Sequence, residues 1–284
     1  MLRKIKLLLE MIKFEHTIFA LPFAYTGAVL AEKGFPATRT ALLILGCMVG
    51  ARTAAMTFNR LADLPFDAQN PRTRNRHLVI GLVKKTEAWI FFITASVLFF
   101  LCAAALNPLT LKLSPIAYAV ILAYSYTKRF TWLCHIFLGA ALALAPLGGY
   151  VAVKGTLTDP AIFILALGVV FWVAGFDILY ACMDEEFDRK MGLHSIPAKF
   201  GRKKAFLISA LCHSLAFFLF ATAGYLFGLS YPYYLALFVT AALFIAQRIT
   251  VNPRDLTGLD MAFFTFNGAI SVVIFLGVLL DNLI

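Results

Sequence analysis

Long apolar runs, broken by short segments bearing charge, Pro, Gly or Asn, decide which solvent this chain can fold in. A helix needs about 20 mostly apolar residues to cross the hydrocarbon core of a bilayer. The stretches at 14–31, 40–58, 88–106, 111–126, 132–153, 160–182, 205–227, 233–250 and 259–280 approach or reach that length. They are continuously apolar, without the ten-residue alternation of barrel strands, so helices are expected. Of the 284 residues 61% are hydrophobic and only 14% charged, and the mean hydropathy is +0.84. A water-soluble domain of this size could not bury so much apolar surface. The sequence therefore predicts one all-α integral membrane domain over residues 1–284, a bundle of nine transmembrane helices.

The connecting segments sort by charge. Twenty of the 25 Lys and Arg residues fall on the N-terminal arm and the 2–3, 4–5, 6–7 and 8–9 connections, against four (Lys33, Arg39, Lys112, Lys154) on the other side. The positive-inside rule then puts the N-terminus and the long charged connections in the cytoplasm, and an odd number of spans puts the C-terminus outside. The net charge of +10 is accordingly assigned to cytoplasmic loops, anionic headgroups and a negatively charged substrate. No nucleic-acid-binding motif accompanies it. The basic, amphipathic start (Met1 to His16) is followed by no small-residue cleavage site, so no cleaved signal peptide is expected. Five cysteines (Cys47, Cys102, Cys134, Cys182, Cys212) lie scattered in apolar stretches without C-x-x-C spacing and are expected to be packing residues.

Two cytoplasmic connections carry acid and base together. The first contains Asn59, Asp63 and Asp67, then Arg72, Arg74, Asn75 and Arg76; the second runs from Asp177 through Tyr180, Asp184, Glu185, Glu186 and Asp188 to Arg189 and Lys190. Residues four or seven apart share a helix face, so Asn59, Asp63 and Asp67 should form one polar stripe and Asp177, Asp184 and Asp188 another. Pro65 stands against the first, because it removes a helical hydrogen bond and can start a new turn. Like charges at this spacing oppose helix stability unless a cation lies between them. Mg²⁺ takes one or two protein carboxylates and completes its shell with water and phosphate oxygens. Two facing stripes would suit a Mg²⁺-diphosphate, with Arg52, Arg72, Arg76 and Lys128 near enough in sequence to neutralise the remaining phosphate charge. Arg52 and Asp177 sit within or at the end of apolar runs, where a charge costs about 2.5–3.5 kcal/mol at mid-bilayer. Both are therefore functional candidates. His16, His77, His135, His194 and His213 show no ligand spacing, so zinc chemistry has no support.

The pieces Asn59-x-x-x-Asp63-x-x-x-Asp67 with Arg52 upstream, Arg72-Thr73-x-Asn75-Arg76, Tyr124-x-x-x-Lys128, and Asp177-x-x-Tyr180-x-x-x-Asp184-x-x-x-Asp188 before Phe200-Gly201 together resemble the UbiA superfamily of intramembrane prenyltransferases. The resemblance spreads over most of the chain. It implies nine helices around a central cavity, a cytoplasmic cap from the 2–3 and 6–7 connections, a lateral opening for an isoprenoid tail and a bacterial plasma-membrane location. It further implies transfer of a polyprenyl group from its diphosphate to an aromatic acceptor. Mg²⁺ would be held by Asp63, Asp67, Asp184 and Asp188, and the diphosphate by Asn59, Arg52, Arg72, Arg76, Lys128 and Tyr124, with Asp184, Tyr180 and Asp177 at the chemistry. The stretch from Phe176 to Pro197 is most similar to the 4-hydroxybenzoate polyprenyltransferase type of quinone biosynthesis, with 1,4-dihydroxy-6-naphthoate as the alternative acceptor. Two departures from the pattern are His77-Leu78 where Pro-Leu is common, and Lys13-Phe14-Glu15-His16-Thr17 in the first span. That second region, with His16 and Arg52, is where the acceptor is expected to bind.

Two other classes compete. A transporter would place its charges near the membrane midplane and show inverted halves, and neither pattern is visible. A CDP-alcohol phosphotransferase would carry one compact motif with D-G-x-x-A-R, which is absent.

Overall fold

In a computed structural model that describes residues 2–14, 19–253, 256 and 258–284, the apolar runs are helices. In chain order they are α1 (Leu2–Met11), α2 (Leu21–Glu32), α3 (Thr38–Ala62), α4 (Leu64–Asp67), α5 (Lys85–Leu106), α6 (Pro108–Thr127), α7 (Cys134–Lys154), α8 (Pro160–Ala181), α9 (Glu185–Lys190), α10 (Ile196–Phe200), α11 (Arg202–Leu226), α12 (Tyr231–Thr250) and α13 (Leu259–Asp281). A 3-10 turn, Cys182–Asp184, joins α8 to α9. Among the described residues eight helices are long and apolar enough to cross a bilayer: α3, α5, α6, α7, α8 with its continuation to Lys190, α11, α12 and α13. The chain is an integral membrane protein. The first expected span, 14–31, is the exception: Glu15 to Ile18 lie outside the described residues, and the helix that follows has only 12 residues, about 18 Å of rise.

Local chemistry sets the helix ends. Pro22, Pro108, Pro160 and Pro232 occupy first-turn positions, where a missing N–H costs nothing and the fixed φ suits the helix. Asn107 accepts from the Thr110 N–H at 2.9 Å, and Asp159 from the Ala161 N–H at 2.9 Å. Each satisfies an amide that the first turn leaves open. At the other end of α7 the chain stops on Gly155 at φ 67, a left-handed cap that glycine adopts without strain.

Lipid tails are as apolar as leucine, so helices in a bilayer associate through close packing rather than through escape from water. Small residues mark the closest approaches. A Cβ on Gly149 would stand 1.9 Å from the Ala24 carbonyl oxygen, and one on Gly27 2.0 Å from that of Pro146, so α2 and α7 cross backbone to backbone. Nearer the start of α7, Gly139 abuts Val170 of α8 in the same way. α8 packs in turn on α11, α12 on α13, and α13 back on α2. Phe23 of α2 lies 5.1 Å from the Trp172 ring and 5.9 Å from Phe220, and Trp172 Nε1 donates to Asn267 Oδ1 at 3.2 Å, binding α2, α8, α11 and α13 together.

α3, α5 and α6 form a second group, which meets the first at α7 and α2. Between the groups lies a cavity of about 320 Å³ with largely aliphatic walls. Arg52 of α3 and Tyr124 of α6 line it at one end, and Thr110 of α6 and Leu157 at the other. Along α6, Thr110 and Tyr124 are about 21 Å apart at 1.5 Å per residue.

The α2–α7 crossing makes a direct prediction. Gly149→Ala forces backbones apart and should destabilise the protein by about 1–3 kcal/mol, read as a lowered thermal midpoint in detergent. Gly148→Ala, whose added Cβ meets nothing within 4 Å, should leave the midpoint near that of the parent chain.

Candidate active site

α3 ends at Ala62 because Pro65 cannot continue it. Asp63 sits at φ −90 and ψ 1, its N–H still bonded to the Asn59 carbonyl at 2.9 Å, and α4 begins anew with Pro65 in its first turn. The expected single stripe of Asn59, Asp63 and Asp67 is therefore broken at Asp63 into two short helical pieces. The second stripe breaks too. α8 stops at Ala181 and tightens through Cys182–Asp184 before α9 begins. At three residues per turn instead of 3.6 the seven-residue register is lost. Asp177 faces α7, where its Oδ2 lies 2.7 Å from His135 Nδ1, while Asp184 and Asp188 face the neighbouring connections.

Those connections supply a cation to each carboxylate. Asn70 Nδ2 and Arg72 Nε both donate to Asp184 Oδ1 at 2.9 Å, and the Arg72 Nη2 donates to Oδ2, a two-pronged grip. Arg72 also donates to the Tyr180 hydroxyl at 3.2 Å and lies 5.3 Å from that ring's centre. Arg76 Nη1 sits 2.6 Å from both oxygens of Asp67. Asp63 accepts from the Asn59 amide at 2.9 Å, with Arg129 at 3.5 Å. Lys128 Nζ is 2.8 Å from Asp188 Oδ1, and the Ser195 hydroxyl donates to Oδ2 at 2.9 Å. Arg60 anchors the base of the site, donating to Asn59 Oδ1 and to the Met11 carbonyl.

The contacts join distant parts of the chain: Asn70 and Asp184 are 114 residues apart. Two acidic clusters thus converge at one end of the bundle, stitched by Arg72, Lys128 and Arg129. Asp67, Asp184 and Asp188 are buried, Asp188 completely. Burial, and then the nearby Asp67, push the Asp63 carboxyl above its ordinary value despite Arg129 and Lys128. For Lys128 burial works against the charge, but Asp188, with help from Asp184, outweighs it and raises the ammonium.

Arg52 and Tyr124 stand beside this cluster on the cavity wall, the Tyr124 hydroxyl 3.8 Å from Met56 Sδ. Tyr124 lies within electrostatic reach of Arg52, Arg60, Asp63 and Asp177. His16 lies outside the described residues. Asn70, Arg129, Ser195 and His135 join the network without having been singled out from the sequence. Asn70 precedes Pro71, and Ser195 stands three residues before the Ala198 N–H that it caps at 3.3 Å. Both are local turn signals rather than chemical ones.

The donor set fits a hard divalent cation. All four carboxylates offer oxygen only, and no group of three His, Cys, Asp or Glu side chains converges among the described residues. That suits an ion bound by one or two carboxylates and completed by phosphate and water.

Lys128→Met should strand the Asp188 charge. Breaking a buried pair costs roughly 3–5 kcal/mol; with a third of the Lys128 side chain still exposed, about 1–3 kcal/mol is expected here. Adding Asp188→Asn should recover part of that loss, measured as thermal midpoints of the two variants in detergent.

Comparison with known proteins points to one family. The profile described as the UbiA prenyltransferase family matches residues 20–269. A 4-hydroxybenzoate octaprenyltransferase of Saccharophagus degradans is 34% identical over 255 residues, covering 90% of this chain and 84% of that protein. A UbiA homolog from Aeropyrum pernix K1, solved in its apo state, superposes with a TM-score of 0.84 at 36% identity over 94% of this chain and 98% of its own. A homolog from Archaeoglobus fulgidus bound to DMAPP and Mg²⁺ shares the fold at a TM-score of 0.66 and 23% identity, over 94% and 98% of the two chains.

Proposed function

The chain belongs to the UbiA prenyltransferase family, and from that premise we propose that it transfers a polyprenyl group from its diphosphate to 4-hydroxybenzoate, in a Mg²⁺-dependent reaction of quinone biosynthesis. The observation that carries this reading is that two pairs of aspartates, Asp63 with Asp67 and Asp184 with Asp188, each already paired with a cation or amide, are tied together through Asn70 and Arg72 near the Arg52 and Tyr124 end of a long apolar cavity. Such a mouth suits a diphosphate and such a cavity suits an isoprenoid tail. The curated relatives named for the same acceptor support the choice of aromatic acid.

Asp63, Asp67, Asp184 and Asp188 are the residues that would hold the metal, which when bound neutralises phosphate charge and makes the diphosphate a better leaving group. Arg72, Arg76 and Lys128, now engaged with carboxylates, are the cations that exchange partners for phosphate oxygens. The amide of Asn59 and the Tyr124 hydroxyl complete the polar rim. As the allylic C–O bond breaks, its electron pair leaves with the diphosphate. The cation that remains is screened from water by the aliphatic walls and met by aromatic ring faces, Tyr180 foremost. A ring carbon ortho to the acceptor's hydroxyl forms the new C–C bond, and that carbon then loses its proton. Arg52, inside the apolar wall beside the cluster, is the cation for the acceptor's carboxylate. Both Asp184 oxygens are taken by Arg72 and Asn70. Asp177 keeps its Oδ1 without a hydrogen bond from a described residue, so it is the carboxylate positioned to receive the acceptor's proton. On the charge asymmetry of the connections, this mouth and the N-terminus are read as facing the cytoplasm across a plasma membrane.

Membranes containing the chain, given a polyprenyl diphosphate and 4-hydroxybenzoate, should yield the prenylated acid by mass, and EDTA should abolish the product. Formation of product only from 1,4-dihydroxy-6-naphthoate would reassign the acceptor. Asp63→Ala and Asp184→Ala should each reduce transfer by at least about 100-fold, the scale of losing one transition-state electrostatic partner, while the proteins still insert and purify. Activity retained in either would remove that residue from the metal site.

A further inference from the structure

One buried polar network is left over by this chemistry, and it centres on a histidine. His135 lies in the first turn of α7 and is 1% exposed. Both of its ring nitrogens are committed. Nε2 accepts the backbone N–H of Ile196, at the start of α10, at 3.2 Å. A nitrogen that accepts carries no proton, so in the neutral ring the proton resides on Nδ1. Nδ1 stands 2.7 Å from Asp177 Oδ2 and therefore donates to it. The backbone of one connection thus fixes the tautomer, and the tautomer fixes a carboxylate on α8.

The segment that holds Ile196 is itself tied to the mouth. The His194 N–H donates to the Lys128 carbonyl at 2.7 Å, and Ser195, next in sequence, donates to Asp188. Asp177 remains 23% exposed. A carboxylate with a single anchored oxygen and some solvent access would otherwise rotate toward whichever cation lay nearest. Anchoring Oδ2 leaves Oδ1 without a hydrogen bond among the described residues, on a carboxylate close enough to Tyr124 of the cavity wall to interact with it electrostatically.

We propose that His135 is a positioning residue: donating from Nδ1, it holds Asp177 toward the head of the cavity in register with the connection that carries Asp184, Asp188 and Ser195. This rests on the reading of Asp177 given above, and the experiment separates the two. An Asn side chain places its amide N–H near where histidine has Nδ1, and a Gln side chain places its terminal atoms near Nε2. His135→Asn therefore keeps the donor to Asp177 and loses the acceptor for Ile196, while His135→Gln does the reverse. A residue that merely secures the loop would be rescued by Gln; one that positions Asp177 is rescued by Asn.

In steady-state transfer by the full-length purified chain, His135→Asn should lose no more than about threefold in kcat. His135→Gln and His135→Phe should lose about 10- to 100-fold, the scale of one hydrogen bond to a charged group, with the KM for prenyl diphosphate changed less than about twofold. Rescue by Gln instead of Asn, or equal effects in the Asn and Gln variants, overturns the proposal. If the parent chain transfers to neither aromatic acid, the functional reading falls, and ¹⁵N-histidine NMR decides the positioning alone. The resonances lost in His135→Asn should report a neutral Nδ1–H ring that shifts in Asp177→Asn. An Nε2–H ring, or one indifferent to Asp177, overturns it.

Discussion

A carboxylate removed from water must find a cation or several donors, and at the charged end of this protein that requirement organises everything else. Moving an ion into a low-dielectric interior costs several kcal/mol even after relaxation. Asp188, with no exposed surface, meets the requirement through Lys128 and Ser195; Asp184 meets it through Arg72 and Asn70. In each case the cation comes from a different connection than the acid. Satisfying one charge therefore fixes the position of a second loop, and three connections end up locked around a common mouth. If a diphosphate and its metal bind here as proposed, the arginines and lysine would gain an anion and the aspartates a cation, so the same charges would remain balanced.

The bilayer confines that arrangement to the helix ends. Within hydrocarbon every backbone N–H and C=O needs an internal partner, so helices stay unbroken there. The breaks at Asp63 and at Cys182–Asp184 occur where loops can supply partners. The result is a division of labour along one axis: charge at the mouth, and aliphatic wall from Arg52 and Tyr124 down to Thr110 and Leu157. A substrate with a highly charged head and a hydrocarbon tail matches that division, whereas a small ion does not need the apolar length.

Much of this was legible in the sequence because a bilayer reads composition directly. The runs at 160–182, 233–250 and 88–106 became α8, α12 and α5 with ends moved by three residues or fewer. The acidic residues were found, but not their geometry. Helical periodicity put Asp177 on the same face as Asp184 and Asp188, and the 3-10 turn at Cys182 turned it instead toward His135. Pro65 was visible as a breaker, and it does split the first stripe. The cationic partners were harder. Arg72 and Arg76 stood out beside the motif, whereas Arg129 looked like any loop charge and His135 like any apolar-segment histidine. Their meaning lies in tertiary pairings that no spacing along the chain encodes.

The three aspartates of the second cluster show why the same side chain can serve different ends eleven residues apart. Asp184 and Asp188 are held by full positive charges that a phosphate can draw away, which suits groups that trade a cation for a metal. Asp177 is held instead by the His135 ring, whose other nitrogen is engaged by a backbone N–H across the site, a partner built into the fold. Under the proposed function, a bound diphosphate would compete for the partners of Asp184 and Asp188 and not for that of Asp177. In the proposed reaction, a group that meets the acceptor in a constant position, while its neighbours respond to the donor substrate, is best anchored to a side chain that the backbone itself holds in place.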